Sequence, residues 1–287
     1  MSELKGIFKA AASGEIENIK KYLGNSVNIN KGDKDGYTPI LCAIQEGHLE
    51  LVEYLIDVGA DIRKRAYNSY SAFELACYEG YLDIVKLLIN RGYDLLNEDF
   101  VSLNYASANG KYEIVEFLLK SGMDINKGDD GGYTPVHWAT QEGQLEVVKL
   151  LAYNGGDLEK EDENSITPLY LAATDGYTEI IEFFISKNVS IDSIYYGPSS
   201  CTPLNIACIC NKISAVELLL KNGANIEAED DEGRTPLFNA SLKGNIEVVK
   251  TLLKYGANKN TKNKRGKIIC EIKRPKIKEE ILQLLHV

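Results

Sequence analysis

The sequence predicts an all-α protein, a solenoid of stacked helical hairpins with projecting β-turn loops. Glycine recurs every 33 residues at Gly14, Gly47 and Gly80. The same step separates Gly110, Gly143 and Gly176. The pair Thr-Pro recurs at 38–39, 134–135, 167–168, 202–203 and 235–236. A period of about 20–50 residues is typical of repeat proteins, in which each unit buries its apolar face against its neighbours. We therefore expect one continuous stack over residues 1–287 instead of two globular domains.

Each repeat is predicted to run turn, helix, helix, loop, as the unit around Thr38 illustrates. Gly36 favours a turn because glycine accepts a positive φ. Thr38 can cap a helix with its hydroxyl, and the proline after it suits the first helical position. This first helix should end near Gly47. Apolar residues at helical spacing over 51–56 predict the second helix, and Gly59 should end it in left-handed geometry.

The first helix carries a recognisable motif. The segment 134–139 reads Thr-Pro-Val-His-Trp-Ala, and Leu follows Thr-Pro at 169, 204 and 237. With the 33-residue period, this resembles the ankyrin repeat, whose first helix opens Thr-Pro-Leu-His-x-Ala. The resemblance covers nearly the whole chain. It implies that loop tips and the exposed side of the first helices form a concave groove that binds other proteins.

Three departures from the repeat pattern are informative. The step from Ser71 to Val101 is 30 residues, and the step from Thr167 to Thr202 is 35. The first implies a shortened loop near 97–100, which either widens the groove locally or reflects neutral drift in a tolerant loop. The motif histidine occurs only at His137. We therefore expect the loop cross-links that this histidine implies to be lost in most units.

Both ends of the chain resemble degenerate repeats, which suits the polar outer face that a stack needs at each end. Residues 1–32 match the pattern without a Thr-Pro pair and form the predicted N-terminal cap unit. Residues 33–262 hold seven predicted internal repeats. Residues 263–287 form the predicted C-terminal cap unit, in which Pro275 should break the first helix early. The expected total is about nine units.

The charge is strongly acidic and unevenly distributed. The chain has a net charge of −10, yet residues 254–278 contain ten Lys and Arg against one acid, a local +9 that leaves −19 elsewhere. An acidic body repels nucleic acid and anionic membranes. We expect neither as a partner. We interpret the basic segment 254–278 as a solvated cap of the stack. The alternative is that it binds an acidic ligand.

The remaining composition predicts a cytoplasmic protein. No apolar run reaches the roughly 18 residues of a membrane span, and the first residues lack a secretory signal pattern. The six cysteines are scattered. We interpret them as reduced, with Cys42, Cys77 and Cys208 buried in first helices.

No constellation of catalytic residues emerges. The chain has three histidines and no glycine-rich phosphate loop. Cys208 and Cys210 are two residues apart and so point to different sides of a helix. The acid clusters at 129–130, 161–163 and 229–232 lack calcium-loop spacing and are predicted to be solvated loop tips. We expect no catalytic residues, no cofactor and no metal.

In each repeat, we term the position of the motif threonine, just before the first helix, the Thr slot. The ankyrin resemblance implies that the residue before each Thr slot faces the groove. These residues are Tyr37, Tyr70, Phe100, Tyr133, Ile166, Cys201, Arg234 and Lys267. The first four of these residues are aromatic, and Tyr67 and Tyr78 extend this aromatic band. Carboxylates lie beside it at Glu46, Glu79, Asp130 and Glu142. Tyrosine is enriched at binding hot spots, although these side chains could instead stiffen the stack by packing on neighbouring loops. We assign Trp138 to the core.

The sequence therefore predicts a monomeric, non-enzymatic protein–protein interaction module: a scaffold, an adaptor or a stoichiometric inhibitor. Its expected partner is a protein or peptide with a basic, partly apolar segment. One alternative is a secreted effector or virulence factor of an intracellular bacterium, parasite or virus, which would use the same groove on host proteins. A more distant alternative is an enzyme or small-ligand binder, which would need a convergent polar pocket.

Overall fold

The computed structural model describes residues 2–67, 70–95, 101–195, 200–269 and 279–286. This part of the chain contains seventeen α-helices and no β-strand. The prediction of an all-α stack of helical hairpins is therefore confirmed. The helices fall into two compact units, Met1–Ile125 and Asn126–Val287. The single continuous solenoid and the count of nine repeats stay predictions.

The described residues of the first unit form four helical hairpins. They are α1 Ser2–Ala12 with α2 Ile16–Gly24, α3 Pro39–Gln45 with α4 Leu49–Asp57, α5 Ala72–Glu79 with α6 Leu82–Asn90, and α7 Ser102–Ala108 with α8 Tyr112–Lys120. The first helices pack in chain order, α1 on α3, α3 on α5, and α5 on α7. A second row lies beside them, in which α4 packs on α6.

The second unit repeats this arrangement. Its hairpins are α9 Pro135–Gln141 with α10 Leu145–Tyr153, α11 Pro168–Asp175 with α12 Thr178–Ser186, α13 Pro203–Ile209 with α14 Ile213–Lys221, and α15 Pro236–Lys243 with α16 Ile246–Lys254, followed by α17 Glu279–His286. The first helices α9, α11, α13 and α15 pack in order, and so do α10, α12, α14, α16 and α17. Helix α17 lies within the C-terminal cap unit predicted over residues 263–287, whereas Pro275 lies outside the described residues.

The core lies between the two rows of each unit. Leu51, Val52 and Leu55 form the buried stripe of α4, at the spacing that the sequence predicts. The first helices instead bury alanines, which let neighbouring backbones approach closely. Ala43, Ala76, Ala106, Ala139, Ala172, Ala207 and Ala240 are all fully buried. Small side chains in one row and branched ones in the other give each hairpin a continuous apolar face.

The helix ends follow the predicted signals with one exception. Gly47 and Gly59 have φ values of +74° and +95°, and Asn211, which replaces a glycine, has +59°. The hydroxyls of three capping threonines accept hydrogen bonds from the amide three residues ahead; these are Thr167, Thr202 and Thr235. The prediction for Thr38 is wrong, because its buried hydroxyl makes no hydrogen bond to the described residues.

The cysteine prediction holds for Cys77 and Cys208, which are buried, but not for Cys42, which is half-buried. Cys42 lies on the side of α3 that turns toward the loop tip. Burial raises the pKa of its thiol to about 12, with a smaller contribution from the Asp33 carboxylate. The thiol is therefore protonated at neutral pH.

None of the described helices has the length and apolar character that crossing a membrane requires.

Candidate functional site

At four of the described loop tips, an aspartate holds the residue that precedes the first helix. Asp129 Oδ1 accepts hydrogen bonds from the Gly131 and Tyr133 amides, each at 3.0 Å. Asp33, Asp162 and Asp230 make equivalent bonds within their own tips. The prediction that the acid clusters are solvated is wrong for Asp162 and Asp230, which are 7% and 4% exposed. Their carboxylates point inward to close the turn.

The residues before the Thr slots do not share one environment. Tyr37, Tyr70, Tyr133, Ile166 and Arg234 are half-buried and Lys267 is exposed. Phe100 lies outside the described residues, so its predicted place in the groove stays a prediction. The assignment of Cys201 to the groove is wrong.

Cys201 is 1% exposed. Its backbone exchanges two hydrogen bonds of 3.1 Å with Tyr195. The Tyr170 hydroxyl lies 3.7 Å from its sulfur and covers the thiol. Tyr195 and Cys201 thus form a local antiparallel bridge in the repeat that is two residues longer, which the sequence pattern did not reveal.

Four tyrosines collect on the first-helix side of the unit Met1–Ile125, and we term Tyr37, Tyr70, Tyr78 and Tyr105 the tyrosine cluster. The Tyr70 ring centroid lies 5.0 Å from those of Tyr78 and Tyr105, at interplanar angles of 31° and 87°. Burial raises the pKa of Tyr70, and the neighbouring phenols, including that of Tyr37, and the Glu79 carboxylate raise it further. All four side chains are half-buried, so the cluster keeps an accessible surface.

The flanks of the tyrosine cluster are acidic or open. Glu46 is exposed and Glu79 is half-buried, each at the end of a first helix. Tyr67 is 72% exposed at a loop tip, where its amide donates to the Asp35 carbonyl at 3.1 Å. Tyr105 is absent from the groove residues that the sequence predicts. Its position in the repeat could have revealed it, because it lies four residues after the Thr slot, as Trp138 does in its own repeat.

The assignment of Trp138 to the core is wrong. Trp138 is half-buried in the unit Asn126–Val287, and its indole Nε1–H donates to Asp129 Oδ2 at 2.9 Å. Its ring meets Tyr133 edge-on at a centroid distance of 5.7 Å. On α9 the buried positions are Pro135, Val136, His137, Ala139 and Thr140, which turns residue 138 toward the loop tip. We term Asp129, Tyr133 and Trp138 the tryptophan site.

The tryptophan site lies in an acidic neighbourhood. Burial raises the pKa of the Tyr133 phenol, and the carboxylates of Asp162 and Asp129 raise it further. Asp130 and Glu142 are exposed nearby in sequence, on the tip and at the end of α9. The next tip approaches closely, since the Glu163 amide donates to the Gly131 carbonyl at 3.1 Å. A cation is therefore favoured beside these rings.

His137 occupies the structural position that the motif implies. Its Nε2 lies 3.0 Å from the Ile166 carbonyl oxygen in the next repeat. A carbonyl only accepts, so Nε2 carries the hydrogen and donates. Nδ1 then accepts from the Thr134 amide at 3.2 Å and from the Thr134 hydroxyl at 2.8 Å. This imidazole is a cross-link between repeats, which accounts for its burial.

Two of the units that lack the histidine connect the same two loops through another side chain. Asn205 holds the histidine position in its repeat, and its Nδ2 donates to the Ala228 carbonyl of the next tip at 2.8 Å. Tyr170 holds it in another repeat and reaches Cys201. Different side chains thus span the same gap, because each polar atom reaches a partner in the following loop.

The comparisons with known proteins agree with this architecture. A family model described as ankyrin repeats, in three copies, matches residues 7–99, 102–162, 142–230 and 171–263. A search of curated proteins returns no match. Ankyrin repeats are in general modules for protein–protein interaction and are typically non-enzymatic. Because the matched segments span most of the sequence, the chain belongs to the ankyrin-repeat family.

Proposed function

We propose that this protein is a non-enzymatic binding module that holds a protein or peptide on the tips and first helices of its two units. The observation that carries the proposal is the grouping of half-buried aromatic rings there: the tyrosine cluster in one unit and the tryptophan site in the other. Aromatic side chains offer large, rigid contact area and are frequent at binding hot spots. A pre-ordered stack also loses little conformational entropy when it binds.

The charge of the surroundings supports a basic, partly apolar partner segment. Glu46, Glu79, Asp130 and Glu142 accompany the rings, and the chain as a whole has a net charge of −10. Apolar partner residues would contact the ring faces, while basic ones would pair with the carboxylates. The same charge disfavours nucleic acid and anionic membranes as partners.

We further propose that the protein acts as a cytoplasmic monomer, as a scaffold, an adaptor or a stoichiometric inhibitor. The described cysteines are all free thiols, and Cys77, Cys201 and Cys208 are buried, which suits a reducing compartment. Light scattering coupled to size exclusion would test the monomeric state directly.

The test removes one ring from each aromatic group. The double variant Tyr70→Ala and Tyr133→Ala is compared with the unaltered protein in affinity capture from the native cell, followed by quantitative mass spectrometry. We expect the specific partner to be lost or its Kd to rise about 30-fold or more, since one hot-spot tyrosine contributes about 2 kcal/mol. Circular dichroism and thermal melting establish that the variant is folded.

A matched control removes two tyrosines from the second-helix rows. Tyr112 and Tyr153 are 40% and 70% exposed on α8 and α10. Replacing both with alanine should leave partner capture unchanged. Equal capture by the folded Tyr70 and Tyr133 variant and by the unaltered protein would remove the basis for this surface.

A further inference from the structure

We propose that the tryptophan site is an anchor for an arginine side chain of the partner. This inference rests on the proposed function and names the group that the second unit recognises. The guanidinium would lie on the Trp138 indole and pair with the exposed carboxylates of the two adjoining tips. The occupant is therefore an unmodified arginine within a protein or peptide.

The site is ordered before any ligand arrives. Asp129 closes its own tip through two amide hydrogen bonds and holds the indole through a third bond, from Trp138 Nε1 at 2.9 Å. Tyr133 contacts the indole edge-on. The indole is fixed at two points while the side chain stays half-buried, so a planar group can approach it without rearrangement.

The local charge selects a cation. The tips 127–133 and 160–166 contain five acids and two lysines. Asp130 and Glu163 are exposed, and the bond from the Glu163 amide to the Gly131 carbonyl brings their tips together. Asp129 adds its charge at the edge of the indole. A cation over Trp138 would thus gain from the ring and from nearby carboxylates.

The shape of the site favours arginine over other cations. A guanidinium is planar, weakly hydrated and able to form paired hydrogen bonds to a carboxylate, and it stacks on aromatic faces. A lysine ammonium is compact and strongly hydrated. Because Tyr133 and Trp138 are in direct contact, they leave no gap between them for a trimethylated ammonium group.

The chain offers a direct reporter, since Trp138 is its single tryptophan. In a ¹⁵N-labelled sample of the full chain, the indole therefore gives one Nε1–H resonance. The probe is the synthetic peptide acetyl-Gly-Leu-Arg-Leu-Gly-amide, compared with versions that carry citrulline or lysine at the centre. Citrulline has nearly the shape of arginine without its charge.

We expect the arginine peptide to shift the indole resonance in a saturable way, with an affinity at least about five-fold above that of the citrulline peptide. The lysine peptide should lie between them. The double variant Asp130→Asn and Glu163→Gln should weaken the arginine peptide at least about three-fold and leave the citrulline peptide unchanged. The matched control, Glu146→Gln with Glu182→Gln on α10 and α12, should change neither.

Equal affinities for the arginine and citrulline peptides would overturn the inference, and so would an indole resonance that no arginine peptide shifts. This failure is distinguishable from failure of the proposed function. If partner capture still depends on Tyr70 and Tyr133 but the arginine peptide does not shift the indole resonance, only the arginine anchor is contradicted. If the indole responds but capture is insensitive to both tyrosines, the anchor stands and the wider binding surface does not.

Discussion

At the scale of single residues, His137 connects protonation to stability. Its Nε2–H donates to the Ile166 carbonyl, and its Nδ1 accepts from Thr134, so both nitrogens are engaged only in the neutral form. A proton on Nδ1 would face the Thr134 amide hydrogen. Burial lowers the pKa of His137 below its usual value of 6.5, against smaller raising effects from the Ile166 carbonyl and nearby acids.

The lowered pKa predicts a loss of stability as the pH falls. The unfolded chain binds a proton at this histidine at a higher pH than the folded chain does. The contribution of neutral His137 is therefore complete above the unfolded pKa and declines below it, by up to about 1.4 kcal/mol per pH unit. Urea unfolding between about pH 7 and pH 5.5 would measure the slope.

The His137→Gln variant should lose this part of the slope, while His48→Gln should keep it. His48 is a suitable control because it also bonds a backbone carbonyl, with Nε2 3.0 Å from the Ala12 oxygen, but is only half-buried. Identical slopes in the unaltered protein and His137→Gln would contradict the assignment of a buried neutral imidazole.

The sequence could predict His137 but not the role of Trp138. The histidine belongs to a motif whose local bonds are built into the repeat, so its register alone defines its partners. Trp138 lies between buried residues in sequence, and apolar character suggested burial. Its actual direction depends on Asp129, nine residues earlier, whose second carboxylate oxygen accepts the indole N–H. This hydrogen bond depends on the geometry of the loop tip, so the sequence of a single repeat does not reveal it.

At the scale of elements, the hairpin turns form a ladder along each unit. The residue after a turn glycine covers the glycine of the preceding turn. A Cβ on Gly47 would lie 2.5 Å from the Tyr81 ring, and one on Gly14 would lie 2.9 Å from the His48 ring. Asn245 uses the same position to donate to the Cys208 carbonyl at 2.8 Å. At Gly14 and Gly47, glycine is thus favoured both by the positive φ and by the close approach of the covering ring.

Two glycines of one repeat allow the effect of positive φ to be measured apart from the effect of close approach. Gly47 and Gly59 both have positive φ, but a Cβ on Gly59 would meet no atom within 4 Å. We expect Gly59→Ala to cost about 1–2 kcal/mol of unfolding free energy from backbone strain alone. Gly47→Ala should cost at least about 1 kcal/mol more, because the Tyr81 ring must shift. Urea denaturation of both variants measures the difference.

Adding Tyr81→Leu to Gly47→Ala should recover part of the excess cost, since a smaller side chain then covers the turn. The same substitution added to Gly59→Ala should recover nothing. Equal stabilities for the two glycine variants would show that the turns tolerate a side chain between repeats.

The elements themselves could be predicted well because their signals are local. Thr-Pro marks the start of α9, α11, α13 and α15, and a residue of positive φ follows each first helix. The loop that contains Tyr195 and Cys201 could not be predicted. The step of this repeat is 35 residues instead of 33, and a backbone bridge is present in place of the aspartate that closes four other tips. An irregular loop has no second copy in the chain against which its pattern could be recognised.

At the scale of the whole molecule, the packing is local in sequence. In Asn126–Val287 the strongly packed helix pairs lie within one hairpin or between adjacent hairpins. A repeat protein with such contacts has a stability that is approximately the sum of repeat and nearest-neighbour contributions. Damage to one repeat should therefore weaken its neighbours more than distant repeats of the same unit.

Phe184→Ala tests this expectation in the second unit. Phe184 is fully buried on α12, and its truncation should cost about 3–5 kcal/mol locally. Native-state hydrogen exchange should then show the largest loss of amide protection in 168–186, less in 145–153 and 203–221, and the least in 246–254. Tyr153→Ala, a truncation of a 70% exposed ring on the preceding hairpin, should change protection little. If Phe184→Ala lowers protection equally across 135–254, the unit unfolds as one cooperative body and the nearest-neighbour description does not apply to it.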